Sequence, residues 1–345
     1  MMKTLTTILI LALAYSVFGN DGVYLSSGSL IYPTKETKIR LDKEILSFTI
    51  RDDRAYVDIQ FEFYNPESSD RKLLIGFQAP TSTGDVLDSI SNTNLIENFT
   101  ISQDGSILPY ELKVAECEDC HLKEFGEIQF SQFNQGIFVY LFEINFKPGI
   151  NQINHSYNFP ASSSFMMSES YDYILTTGAK WAGGKIGDLT VQIDLGQNKY
   201  FCVNDIFGKN ADWSIIGTGK VTNELKDYFR DSSKMVRIIN GKLQINTRDF
   251  QPTKNIVFGI PREFDFEISD YDISDLNEGI SKKDLRIMRN KIYALYGYEF
   301  KSPDLKDYFN QFEWYIPNPN IKMNDIDLSE KEQEYIQKIR SKEKE

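Results

Sequence analysis

Residues 55–64 alternate without a fault: Ala55, Val57, Ile59, Phe61 and Phe63 share one face, and Tyr56, Asp58, Gln60, Glu62 and Tyr64 share the other. A side-chain period of two puts one face on a core and the other toward water, which is the pattern of a half-buried antiparallel strand. Asn65-Pro66 ends it, because proline has no amide to give to a ladder. The same period dominates from about residue 37 to 260, with strand runs at 38–41, 73–77, 99–102, 107–114, 137–146, 152–159, 188–195, 213–216 and 255–260. Asp104-Gly105 predicts a hairpin between 99–102 and 107–114, and Asn240-Gly241 predicts another between 235–239 and 242–246. Tight hairpin turns need residues that tolerate left-handed backbone, and these pairs supply them. Residues 220–230 suit a short helix or a strand equally. The expected fold is mainly β, with one or two antiparallel β-sandwich-like lobes over 20–268 and a seam near 160–165, at Pro160-Ala161-Ser162-Ser163-Ser164.

Near residue 270 the pattern changes. Asp270, Asp272, Asp275, Asn277, Glu278 and Gly279 read as an acidic linker over 269–280. Oxygens at alternate positions suit calcium, but the glycine of an EF-hand loop would fall at Asp275 and no closing Glu follows. A small α-helical domain is then expected over 281–340, ahead of a charged tail at 341–345. Ser281 and Asp284 approximate a capping box, with Ile280 stapled onto Leu285. Leu285, Met288, Ile292 and Leu295 mark one face of a helix that Gly297 stops. Ser302-Pro303 opens a second helix with Leu305, Tyr308, Phe309 and Phe312 on its apolar side. Ser329 and Glu332 cap a third, through Tyr335, Ile336 and Ile339.

Residues 1–19 read as a signal peptide: Lys3, an apolar run over 5–18, and small residues Val17 and Gly19 at the cleavage positions. The run is too short for a bilayer-spanning helix, and no later segment is long and apolar enough. Cleavage near Gly19 predicts an exported chain, periplasmic or secreted. Losing Lys3 takes the net charge from −12 to −13. That sign excludes nucleic acid as a sequence-independent partner and docking on anionic lipid. Export permits disulfides, and Cys117 with Cys120 is the expected pair, closing a local turn; Cys202 is the other candidate partner. Cys117, Cys120 and His121 also spell C-x-x-C-H, which keeps c-type haem as an alternative. The strand-like run at 107–114 and the acidic flanks Glu116, Glu118 and Asp119 weigh against it. With two His and three Cys in the chain, no metal and no other cofactor are expected.

No G-x-S-x-G or H-E-x-x-H is present, so a hydrolase would have to be built around His121 or His155. Gly217-Thr218-Gly219-Lys220 lacks the first glycine of a phosphate loop and reads as a turn. No catalytic residue is nominated. The candidate ligand-binding residues are Lys180, Trp181, Gly183 and Gly184, because glycines, a Trp and a Lys on one long loop suit a contact surface. The expected function is a non-catalytic binding or cell-envelope interaction module, with an envelope protein or a glycan as partner. The alternatives are an extracytoplasmic hydrolase and a haem or thiol-redox protein.

Residues 285–300, LRIMRNKIYALYGYEF, followed by Leu305, Tyr308-Phe309, Trp314-Tyr315 and Leu328-Ser329-Glu330-Lys331-Glu332, resemble the YARHG domain of exported bacterial proteins. The name motif falls on Tyr293, Ala294, Leu295, Tyr296 and Gly297, so its Arg and His are replaced by Leu295 and Tyr296. The resemblance implies an extracytoplasmic module without a settled activity. Under it, Arg289, Asn290, Tyr293, Gly297, Trp314 and Tyr315 determine the fold. Residues 175–189, LTTGAKWAGGKIGDL, carry a resemblance of the β region to an exported bacterial domain of unknown function often found ahead of YARHG. It implies architecture, not a reaction.

Overall fold

The computed structural model describes residues 27–29, 32–33, 37–79, 94–115, 137–208, 211–229, 232–266, 268, 270–274, 276 and 279–344. Residues 1–19, read as a signal peptide, and the Cys117, Cys120 and His121 group lie outside the described residues. The strands are β1 (Ser27–Ser29), β2 (Tyr32–Pro33), β3 (Arg40–Arg51), β4 (Arg54–Asn65), β5 (Arg71–Ala79), β6 (Glu97–Gln103), β7 (Ser106–Ile107), β8 (Glu111–Ala115), β9 (Ile137–Phe146), β10 (Gly149–Pro160), β11 (Met167–Ile174), β12 (Ile186–Asp194), β13 (Lys199–Asn204), β14 (Ser214–Asp227), β15 (Ser232–Phe250) and β16 (Ile256–Pro261). The helices are α1 (Asp270–Ser274), α2 (Lys282–Leu295), α3 (Pro303–Phe309) and α4 (Glu330–Lys344). The chain is mainly β, with its helices at the C-terminal end.

A large sheet runs β1-β11-β16-β13-β15-β12-β3-β4-β10-β6-β7, with β14 along the other edge of β15; a second sheet runs β2-β5-β9-β8. Pairing is antiparallel, as expected, except for the parallel pairs β1 with β11 and β12 with β3. The large sheet folds over on itself. Phe48 of β3 packs on Tyr173 of β11 and Phe258 of β16, with ring centroids 5.7 and 5.0 Å apart, and Phe159 of β10 meets Tyr171 of β11. The perfect alternation of β4 is the reason: Val57, Ile59, Phe61 and Phe63 are all buried on the face that the fold closes over. The 160–165 segment joins β10 to β11, and strands from either side of it meet in the same sheet where β12 lies beside β3.

Asp104 and Gly105 adopt left-handed backbone, φ 50° and 82°, and make the expected turn between β6 and β7. β7 is only two residues long, however. The run expected at 107–114 is split, because the chain leaves the large sheet there and enters the second as β8. Residues 220–227 resolve as strand within β14.

Asn240-Gly241 makes no hairpin. β15 runs straight through it for 19 residues, pairing first with β13 and then with β12. Gly241 at φ 94° faces Gly217 at φ 134° on β14. A Cβ on Gly241 would fall 2.0 Å from the Ile216 carbonyl oxygen. The left-handed signal in the sequence is therefore a bend where two backbones close up, not a chain reversal. Gly241→Ala is expected to lower stability by about 2–4 kcal/mol, through the steric clash plus the unfavourable φ. A urea midpoint within error of wild type would refute this.

The helical unit packs on the outer face of the sheet at β11, β13 and β15. Along β13, Phe201 and Val203 point into the main core, while Tyr200 and Cys202 belong to the core of the helices. Along β15, Val236 and Ile238 face inward and Met235 faces the helices. These strands are buried on both faces, so they lose the alternation that marks β4. Two residues along the same face from Met235 lies Arg237, fully buried. Its Nε donates to the Trp314 carbonyl at 2.8 Å, and its terminal nitrogens donate to the carbonyls of Lys199, Ile238 and Leu295. Within the helical unit, Ser281 Oγ accepts from the Asp284 amide and Ser329 Oγ from the Glu332 amide, as the capping patterns predict. Residues 269–280 include α1 and bury Ile273 and Leu276 in the helical core.

Candidate functional site

The loop nominated from sequence is built around a core residue. Trp181 is 2% exposed, with its ring centroid 4.3 Å from Phe63 and 5.9 Å from Phe146. The Ala182 amide donates to the Ile39 carbonyl, and the Gly184 amide to the Trp181 carbonyl. Gly183 and Gly184 sit at φ 87° and 63°, which makes the tight turn that delivers the chain into β12. Lys180 stays exposed at the end of a short 3-10 turn. The glycines and the Trp thus serve folding, and the indole presents no contact surface.

His155 is no better placed for chemistry. It is 2% exposed, among the rings of Phe77, Phe99 and Tyr157, and its Nδ1 pairs with the Thr100 carbonyl at 2.8 Å. Burial holds its pKa down at about 4. Cys202 is a free, buried thiol that donates to the Gly259 carbonyl, and burial raises its pKa well above the ordinary range. Among the described residues, no group of three or more His, Cys, Asp or Glu side chains converges to hold a metal ion.

A concave site exists elsewhere. A cleft of about 750 Å³ opens between the sheet and the helical unit. One wall is aromatic: Tyr200 of β13 packs on Phe264 at 4.6 Å between centroids, and Phe266 continues it toward Trp314. The opposite wall is the C-terminal end of α2, Leu295 and Tyr296, and the rim carries Asp327, Glu330, Lys331 and Glu332 ahead of and within α4. Residues 197–199 close the base. Gln197 and Asn198 lie in the break between β12 and β13, where Asn198 adopts φ 59°, and Lys199 opens β13. A second hollow of about 700 Å³, walled by Asp52, Asp53 and Glu169, shares Gln197 and Lys199 with the first.

Tyr296 organises this cleft. Its hydroxyl donates to Glu332 Oε2 at 2.8 Å, and that same oxygen accepts the Ser329 amide at 2.8 Å. The Asn198 side chain lies beside the hydroxyl at the base of the cleft. Burial, with Glu332 and Asp327 nearby, raises the phenol's pKa above its usual range. One residue therefore ties α2, the N-terminal cap of α4 and the base of the cleft together. Sequence reasoning found the position as a departure from a motif and gave it no role. The cleft arises from residues more than 100 positions apart, and no local spacing announces it.

The other motif residues are spent on packing. Arg289 forks onto Glu343 of α4, Asn290 donates to the Arg286 carbonyl at 2.7 Å, and the Tyr315 hydroxyl donates to the Tyr298 carbonyl at 2.9 Å. Gly297 holds φ 78° after the helix. No helix among the described residues is long and apolar enough to cross a membrane.

Comparison with known proteins agrees with this layout. A crystal structure from Legionella pneumophila, described as a putative nutrient binding protein, superposes with a TM-score of 0.54 at 19% identity, covering 94% of this chain and 99% of that one. At that identity the likeness establishes the fold alone. Yeast LTA4 hydrolase in complex with bestatin gives a TM-score of 0.27 at 6% identity over 73% of this chain and 33% of that one, too low to bear on fold or function. No curated protein matches the sequence. The YARHG family matches residues 267–344, a span that takes in α1 as well as the three longer helices. The helical unit that caps the sheet and forms one wall of the cleft is a YARHG domain.

Proposed function

We propose that this chain is an exported, non-catalytic binding module that holds a small polar ligand in the cleft between its β body and its YARHG domain. The observation that carries the reading is the cleft itself, with an aromatic wall on one side and a rim of mixed charge on the other. Aromatic rings offer flat apolar area, while Lys199 and Lys331 beside the carboxylates of Asp327, Glu330 and Glu332 suit a ligand with both donors and acceptors. Amino acids, short peptides and small glycans fall in that class. The nutrient-binding description of the Legionella structure supports the same reading, and the leader-like residues 1–19 support export.

The test is a thermal-shift panel of amino acids, di- and tripeptides and mono- and disaccharides, run on the wild type and on Gln197→Trp. Gln197 is exposed and lines both hollows, so an indole there fills the cleft without touching either core. A ligand present at 100 times its Kd should add about 2.7 kcal/mol to wild-type stability. Gln197→Trp should melt like the wild type without ligand and lose that gain. A panel with no stabilising member, or a gain that survives in the variant, would remove the cleft from consideration.

A further inference from the structure

The core of the folded-over sheet contains an acid that the binding site does not use. Glu44 of β3 is 0% exposed. It occupies an inward position because the register of β3 against β4 shifts between Leu41 and Lys43. Its Oε1 accepts from the Tyr173 hydroxyl of β11 at 3.4 Å, and its Oε2 has no partner. Tyr157 of β10 is 3% exposed, lies within electrostatic range of Glu44, and its hydroxyl is also unpartnered. β3 and β10 belong to one half of the large sheet and β11 to the half folded over it, so this polar group stands at the closure.

We propose that Glu44 is a pH-operated latch between the two halves of the folded-over sheet, closed as the neutral acid against Tyr173 and Tyr157 and loosened when the carboxylate forms. A carboxylate has acceptors only, and one long hydroxyl bond does not replace its hydration. As the neutral acid, Glu44 carries no charge to hydrate, and its burial costs far less. The groups facing it are the Tyr173 hydroxyl from β11 and the Tyr157 hydroxyl from β10, with the His155 ring 5.1 Å beyond Tyr157. Among the described residues no Lys or Arg acts on it, and burial pushes its carboxyl up to about 8. The folded chain then keeps a proton that the unfolded chain gives up near 4.5, so this contribution is whole below 4.5 and is lost as pH rises through 8. Periplasmic and extracellular proteins meet the pH of the medium, which gives such a latch something to sense.

The test compares wild type with Glu44→Gln, which keeps the shape and removes the charge. Urea unfolding across pH 5–9 should show the wild-type folding constant falling relative to the variant by about tenfold per pH unit up to pH 8. Asp172 of β11, which burial raises to about 7, and His155 titrate in both proteins and drop out of the comparison. Hydrogen exchange at pH 8.5 should show extra opening in β3 and β11 of the wild type only. Parallel pH curves for the two proteins, or extra exchange spread evenly over both sheets, would overturn the latch. If Glu44→Gln does not fold, the infrared band of a protonated carboxyl in wild type decides: present at pH 7 and gone by pH 9 supports it, absent at pH 7 refutes it.

Discussion

Arg237→Met is expected to destabilise the folded chain by about 3–5 kcal/mol and to separate the unfolding of the YARHG domain from that of the sheet. The methionine fills much of the same volume but donates nothing, so the carbonyls of Lys199, Leu295 and Trp314 are left without the guanidinium at a buried junction. Each buried acceptor deprived of its donor costs about 1–3 kcal/mol. Relief of the buried charge offsets part of that, since burial already holds the Arg237 pKa down to about 10. Leu295 ends α2, where the partial negative charge of the helix collects, and a cation from the sheet meets it there. Lys in place of Arg keeps the charge without the planar fork and should recover only part of the loss. Urea unfolding followed by far-ultraviolet dichroism, with hydrogen exchange of α2 and α4 against β3 and β4, reads the result. A single coincident transition at the wild-type midpoint would show that the Arg237 bonds do not couple the two units.

The elements that were legible in the sequence are those with one wet face. β4 was plain because Asp58, Gln60 and Glu62 alternate with a buried row, and α2 was plain because its apolar face and its Ser281–Asp284 cap coincide. β13 has no wet face once the helices are seated, and its run Tyr200-Phe201-Cys202-Val203 carries no period to read. The strand at 235–239 was legible in spite of Arg237, but that Arg237 lies buried and donates to carbonyls of the helical unit was not. Most of β3 was hidden for a related reason: Glu44 takes an inward position and a register shift breaks the alternation. The cleft was illegible for a third reason. Its walls come from the β12–β13 break, Phe264 to Phe266, the C-terminal end of α2 and the start of α4, and only the packing of the helices on the sheet brings them together.

Trp181→Ala is expected to remove about 3–5 kcal/mol of stability, the range for deleting a large aromatic from a packed core. The indole is fully enclosed, against Phe63 of β4 and Phe146 of β9, so it bridges a strand of the large sheet to a strand of the second. Its removal leaves a hole between the two sheets that rigid strands on both sides cannot collapse to fill. The loss should appear as a lowered melting temperature and faster exchange in β4 and β9, with the cleft, which Trp181 does not line, left intact. The contrast with Gln197→Trp separates a packing residue from a binding one: the first variant should lower stability with or without ligand, the second should abolish a ligand's stabilising effect while leaving the ligand-free protein unchanged. A Trp181→Ala protein that melted like the wild type and yet failed to bind would reverse both assignments, returning the site to the 178–187 loop.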